Sequence, residues 1–170
     1  MGKTLIVFWP PNGSVNKVAE IVQQKIPDSD ITSLKLFDFN YFKQYDFFIF
    51  GCSTVGADNW TEAYTGEQWV PFFKKAQDEG YNLIGKKAAI FGLGNAVLYP
   101  NHFIDHVEIL YNALISLGAQ IIGKWPVDEY DYFESSAEEN GFFHGLALDH
   151  DNEPELTETR ITNWVKLLKE

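Results

Sequence analysis

The chain has 170 residues, 45% of them hydrophobic and 16% aromatic, enough apolar material for one folded domain spanning residues 1–170 and too much for a disordered one. Its 24 acidic residues against 13 basic ones give a net charge of −11, which argues against nucleic acid or an anionic membrane surface as a partner, since both reward positive charge. No apolar run approaches the ~20 residues of a membrane span, the apolar stretch after Met1 is too short for a signal peptide, and the single cysteine, Cys52, precludes an internal disulfide and suits a reducing cytoplasm.

Short apolar runs alternate with helical patterns along the chain. Leu5-Ile6-Val7-Phe8 predicts a buried strand, and Val18, Ile21, Val22 and Ile26 then form an apolar stripe at helical spacing. Phe47-Phe48-Ile49-Phe50, ended by Gly51, is a second buried strand, and Ala88-Ala89-Ile90-Phe91, ended by Gly92, is a third. Ile104, Val107, Tyr111, Leu114 and Ile115 make another helical stripe, with Gly118 placed as its stop signal. Ile121-Ile122 follows as a strand. The segment from about Pro126 to Gly145 is polar and acidic, an excursion from a last strand that resumes at Leu146-Ala147-Leu148. A final helix carries Ile161, Trp164, Val165 and Leu168. Strands alternating with helices, and strands apolar throughout, imply a parallel sheet covered on both faces. Ligands in such sheets bind beyond the C-terminal strand ends.

Three loops fall at those ends. The first, Trp9 to Asn16, is a glycine-containing strand-to-helix turn, able to present backbone N–H groups and a helix N-terminus to an anion. Ser14 or Asn12 would equally serve as a plain N-cap, so this loop alone leaves both readings open. The second, Gly51 to Trp60, and the third, Gly92 to Pro100, follow buried strands and are rich in glycine and small polar groups. Each also offers an aromatic side chain, the flat and rigid wall that a planar cofactor needs.

Gly145-Leu146-Ala147-Leu148-Asp149-His150-Asp151-Asn152, with Leu156-Thr157-Glu158, Arg160-Ile161 and Trp164, resembles the C-terminal signature of the long-chain flavodoxins. Val18-Ala19-Glu20-Ile21, Gly51-Cys52 with Thr54, Phe91-Gly92 with Gly94 and Tyr99, Gly118 with Gly123 and Trp125, and Tyr130-Asp131-Tyr132 extend the resemblance over nearly the whole chain. It implies an α/β fold, a flavodoxin-like three-layer sandwich. Its five-stranded parallel sheet has helices on both faces and a last strand interrupted by an insertion. It also implies an electron carrier holding flavin mononucleotide (FMN) non-covalently, with no catalytic side chain.

By the same resemblance, Pro11, Asn12, Gly13, Ser14 and Val15 hold the phosphate. Tyr99 stacks on the outer face of the flavin ring, and Leu93, Gly94 and Asn95 line its pyrimidine edge. Thr54, Val55 and Gly56 pass the ring nitrogen that gains a proton on reduction, and a turned Gly56 carbonyl would accept that proton's hydrogen bond. Trp60 is a candidate cover for the inner face, and Asp149 one for the ribityl chain. Ser53, His102 and Phe103 complete the expected cofactor-binding set.

The phosphate loop departs from the family pattern. It is a residue short, prolines stand early in it, and Val15 replaces a hydroxyl, so side-chain donors are few and each proline removes a backbone N–H. Val55 stands where the family often has Trp, and Asn95 where it often has an acid. The expected partners are redox proteins with a basic face, such as a flavodoxin/ferredoxin reductase, met by a monomeric protein. An FMN-dependent reductase acting on a small molecule such as a quinone, or a flavin-free binding protein of the same fold, are the rival readings.

Other signals carry less. His102 and His106 are spaced like helical metal ligands, but no third ligand is evident. Asp149 to Glu153 resembles a calcium loop, but Pro154 stands where the sharp-turn glycine belongs. Cys52 reads as a buried small hydrophobe.

Overall fold

The computed structural model of the protein describes residues 2–54 and 68–170. Expectations placed on Val55, Gly56 and Trp60 therefore lie outside the described residues. The elements run β1 (Thr4–Phe8), α1 (Ser14–Lys25), β2 (Ser29–Ser33), a 3-10 turn (Leu34–Leu36), α2 (Tyr41–Gln44), β3 (Phe47–Ser53), α3 (Trp69–Asp78), β4 (Lys87–Leu93) and α4 (His106–Ser116). Then come β5 (Gln120–Ile121), β6 (Trp125–Pro126), β7 (Glu138–Glu139), β8 (Phe142–Phe143), β9 (Leu146–Leu148) and α5 (Pro154–Leu168).

The main sheet has the order β2-β1-β3-β4-β5, and β9 also pairs with β4. All of these pairs are parallel. β5 lies against Lys87 and Ala88 at the start of β4, and β9 lies against Phe91 to Leu93 at its end. The two segments therefore occupy one strand position, split by the excursion between them. Inside the excursion β6, β8 and β7 form a small antiparallel sheet. Tyr130 pins the excursion back to the main sheet: its hydroxyl donates to the Ala147 carbonyl at 2.5 Å and accepts from Trp125 Nε1 at 2.9 Å.

The period-two alternation of the strands sorts the core into two faces. Leu5, Val7, Phe48, Phe50, Cys52, Ala88 and Ile90 pack with Trp69 and Phe73 of α3 and with Val107, Leu110 and Leu114 of α4. Ile6, Phe8, Phe47, Ile49, Ala89, Phe91, Leu146 and Leu148 pack with Val15, Val18 and Val22 of α1 and with Ile161, Trp164 and Leu168 of α5. Three layers follow from this arithmetic alone. Burial pushes the Cys52 thiol pKa up, so this cysteine behaves as a small core hydrophobe.

Two details differ from the sequence expectation. Ile104 precedes α4 instead of belonging to it, with φ at 51°. Ile115, on the same expected stripe, is exposed. Glycine is required where chains approach most closely. A Cβ on Gly51 would lie 2.0 Å from the ring of Phe91, and one on Gly92 would lie 2.3 Å from Val107 Cγ2.

Candidate functional site

The strand order reverses between β1 and β3, because β2 lies on one side of β1 and every later strand lies on the other. Open doubly wound sheets bind ligands beyond the strand ends at such a reversal, and flavodoxin is itself a standard instance of the rule. A cleft of about 370 Å³ opens there, lined by Pro10, Ser14, Val15, Ser53, Thr54, Leu93, Gly94, Asn95, Leu98, Tyr99, His150 and Asp151. Its volume falls in the usual range for small-ligand pockets, roughly 300–1,000 Å³.

The floor is the start of α1. Its N-cap residue is Gly13, in extended backbone and with no side-chain hydrogen bond onto the helix, and no acid stands in its first turn. The turn into it is made at Asn12, the residue with left-handed φ (63°), rather than at Gly13. Asn tolerates that region better than most residues. Pro10 follows a cis Trp9-Pro10 bond. The Lys17 amide closes the first helical turn onto the Gly13 carbonyl, which leaves the amides of Ser14, Val15 and Asn16 as the helix's open donors.

One wall is the end of β3. The Thr54 amide donates to the Leu93 carbonyl at 2.9 Å, and its hydroxyl oxygen accepts from the His106 amide at 3.2 Å. The opposite wall, from Leu93 to Tyr99, is held in shape by an Asn95 turn. Asn95 Oδ1 accepts from the amides of Val97 (3.2 Å) and Leu98 (2.9 Å), the side-chain mimic of a backbone turn that this residue type forms readily.

The C-terminal signature clamps that wall. The buried Asp149 carboxylate accepts from the Ala96 amide at 3.1 Å and from the Asn152 amide at 3.1 Å. Asn152 Nδ2 then lies within bonding distance of both Asp149 oxygens and of Asn95 Oδ1, at 2.8 to 3.0 Å. Asn95 Nδ2 faces Asp151 at 3.4 Å. His150 Nδ1 pairs with Thr157 Oγ1 at 2.8 Å. The run quoted above as a motif is thus a hydrogen-bonded clip between the end of β9 and the loop after β4.

The cleft brings together Ser14, Val15, Ser53, Thr54, Leu93, Gly94, Asn95 and Tyr99 of the expected set. Others sit elsewhere. Pro11 and Asn12 line a separate groove with Asn16, Gln23 and Thr32. His102 is paired with Asp105 at 2.9 Å and lines a third groove beside Phe133 and Glu134. Phe103 is fully buried and stacks on Tyr132. Asp149 is spent on the clip. Gly13 carries no Cβ to narrow the space in front of α1, and one built there would meet nothing within 4 Å.

Pro10, Leu98, His150 and Asp151 were not in the expected set. Leu98 had a readable signal, a large apolar residue beside Tyr99 in a loop after a buried strand, and the structure leaves it 65% exposed. His102 and His106 do not share a helix, since α4 begins at His106. No group of three or more metal-ligating side chains occurs among the described residues.

A parallel sheet with this reversal, an open helix N-terminus on the cleft floor and an aromatic on the rim define a mononucleotide-binding α/β protein. The comparisons narrow the class. The flavodoxin family profile matches residues 6–164. The chain is 37% identical to a flavodoxin of Synechocystis, covering 99% of this chain and 97% of that one. It is 36% identical to a flavodoxin of Synechococcus elongatus, with the same coverage. Among solved structures, the Fusobacterium nucleatum flavodoxin bound to flavin mononucleotide aligns with a TM-score of 0.86 and 25% identity, over 99% of this chain and 98% of that one. The chain belongs to the flavodoxin family.

Proposed function

We propose that the protein is an electron carrier that holds FMN in the cleft at the end of β1, β3 and β4 and passes single electrons between redox proteins. The observation that carries the reading is the open N-terminus of α1 on the cleft floor, in a fold matched by a flavodoxin with FMN bound. The missing side-chain donors of the phosphate loop matter less than they do in the sequence. A helix start supplies backbone N–H groups and a favourable dipole end to an anion, whatever the side chains are.

The donor set therefore fits a phosphate monoester at Ser14, Val15 and Asn16. Tyr99 and Leu98 supply flat and apolar surface for a ring, and the segment Leu93 to Asn95 lines the cleft beside it. FMN, when bound, supplies the redox chemistry. The chain's own residues bind it, orient it and shield its inner edge from water. No side chain is assigned as acid or base.

The net charge of −11 favours a partner with a basic face, such as a flavodoxin/ferredoxin reductase, and encounter rates that fall with salt. Among the described residues no helix is long and apolar enough to cross a membrane. We assign the protein to the cytoplasm as a monomer. Visible absorption of the purified protein with excess FMN tests the reading. Binding gives a yellow protein with quenched flavin fluorescence, whereas a protein that ignores FMN ends the carrier assignment.

A further inference from the structure

The dipeptide Asn-Gly occurs twice in the chain, as Asn12-Gly13 in the loop before α1 and as Asn140-Gly141. This pair has a chemistry of its own. The glycine amide nitrogen can attack the preceding side-chain carbonyl carbon, because glycine has no Cβ to crowd the approach and its backbone turns freely. The N–Cγ bond forms, the Cγ–Nδ2 bond breaks, and ammonia leaves with the amide proton, giving a five-membered cyclic imide. Water then opens the imide. Opening at Cγ gives an aspartyl residue. Opening at the main-chain carbonyl, which predominates, gives an isoaspartyl link whose main chain is one carbon longer. Either product carries a carboxylate where the amide was.

At Asn12 the structure leaves this reaction open. Asn12 is exposed, at a left-handed φ of 63°. Among the described residues its side chain makes no hydrogen bond, and the Gly13 amide donates to no carbonyl. Gly13 is in extended backbone, with nothing within 4 Å of where a Cβ would stand. Both reacting groups are therefore unpaired and uncrowded. Asn140-Gly141 is the internal contrast. It is also exposed, but β7 and β8 pair on either side of it, Glu139 opposite Phe142, and the Gly141 carbonyl accepts from the Val127 amide at 3.2 Å. Closing the imide ring needs the backbone to rotate, and a turn held by its ladder resists that rotation.

The position makes the modification consequential. Gly13 is the N-cap of α1, and its carbonyl accepts from the Lys17 amide at 3.2 Å to close the first turn. The open amides of Ser14, Val15 and Asn16 follow directly. An extra main-chain carbon just before Gly13 displaces this N-cap, and the new carboxylate sets negative charge beside the helix end that receives a phosphate. Asn12 faces the neighbouring groove with Asn16 and Thr32, so a cofactor in the cleft does not cover it and acts on it only by fixing the loop.

We propose that Asn12-Gly13 is a self-modification site that couples ageing of the protein to loss of its cofactor: the apo-protein converts Asn12 to an isoaspartyl link, bound FMN slows the conversion by fixing the start of α1, and the converted protein takes FMN poorly. The coupling to FMN rests on the carrier reading above, whereas the conversion itself does not.

Apo-protein and FMN-loaded protein are incubated in mildly alkaline buffer at physiological temperature. The Asn12 and Asn140 peptides are followed by mass spectrometry, which reads a gain of about 1 Da at each conversion. Urea-unfolded chain is the positive control, and Gly13→Ala, whose Cβ crowds the attacking nitrogen, is the chemical one. In apo-protein Asn12 should convert at least about threefold faster than Asn140. FMN should slow Asn12 at least about threefold and leave Asn140 unchanged, and Gly13→Ala should slow Asn12 about tenfold or more. The converted form, separated by anion exchange, should bind FMN at least about tenfold more weakly than fresh protein in fluorescence quenching. Asn12→Asp, which adds the charge without the extra carbon, should lose less. Riboflavin, which lacks the phosphate, should bind fresh and converted protein alike.

An Asn12 peptide that stays intact in apo-protein while the unfolded chain converts would overturn the proposal. So would equal Asn12 rates with and without FMN, or a converted form with the FMN affinity of fresh protein. If fresh protein does not take up FMN, the carrier reading falls and the coupling falls with it, even where Asn12 converts. If fresh protein binds FMN and Asn12 stays intact, only this proposal falls.

Discussion

Replacing Asp149 by Ala should open the clip between β9 and the loop after β4. The carboxylate is 3% exposed and holds two main-chain amides, those of Ala96 and Asn152, at 3.1 Å each. It also takes the Asn152 side-chain amide at 2.9 and 3.0 Å. That third donor keeps Asn95 Oδ1 as an alternative acceptor, so its loss counts for little. Each main-chain bond to a charged acceptor is worth roughly 1.5–3 kcal/mol, and the pair together gives an upper limit of about 6 kcal/mol. Both amides are only partly buried and water can refill the gap, which places the expected loss near the lower bound, about 2–4 kcal/mol. Urea unfolding of the apo-protein reads this directly. With a slope of about 1–3 kcal/mol per molar for a small domain, the midpoint should fall by about one molar or more. Asp149→Asn keeps one acceptor oxygen but turns an NH2 toward a donor, and should lie between Ala and wild type. An Asp149→Ala protein within about 0.5 kcal/mol of wild type, the range of an ordinary surface change, would show that the clip contributes nothing and that the signature needs another explanation.

The start of α1 should discriminate FMN from riboflavin, which lacks the phosphate. Two charge-assisted bonds at about 1.5 kcal/mol each give roughly a hundredfold preference for FMN, and equal affinities by isothermal titration would remove the helix terminus from the site. Burial lowers the pKa of His106 and His144 below 6.5. Between each lowered value and 6.5 the unfolded chain binds more protons than the folded one, so this contribution is intact above the ordinary imidazole range and is lost as pH falls through and below it. Urea midpoints across that range should decline less with acid in a His106→Asn/His144→Gln protein than in wild type, and parallel declines would refute the assignment. Trp164→Phe removes a bond of 2.8 Å from Nε1 to the Gly123 carbonyl in a fully buried position. Thermal unfolding should show a loss of about 0.5–1.5 kcal/mol, the net worth of one hydrogen bond to a half-buried carbonyl, in addition to the packing lost with the smaller ring. Electron transfer to a basic acceptor such as cytochrome c should slow as ionic strength rises from about 0.01 M to about 1 M, since screening contracts from roughly 30 Å to 3 Å. A flat salt profile would detach the acidic surface from docking.

Features that depend on near neighbours in the chain were legible in the order of the amino acids. Leu5 to Phe8, Phe47 to Phe50 and Ala88 to Phe91 announce buried parallel strands because residues facing both helix layers must all be apolar. Ile161, Trp164, Val165 and Leu168 announce a helix face because their spacing returns them to one side. The resumption of the last strand at Leu146 was legible for the same reason, and so were the loops that form the cleft. Which side chain meets which was settled only by packing. Pro11, Asn12 and His102 stand in the expected loops yet face other grooves, because a turn of one residue redirects a side chain to a different surface. Asn12, not Gly13, makes the left-handed turn, a choice local preference leaves open between Asn and Gly. Asp149 looked like a ligand contact, but its carboxylate is bonded to the Ala96 amide, over fifty residues away along the chain. His106 read only as half of a pair spaced like metal ligands on one helix, and the helix begins at His106. Its meaning comes from the contact of its amide with Thr54 across the β3 end, and a pairing between distant segments is set by packing, which no local periodicity encodes.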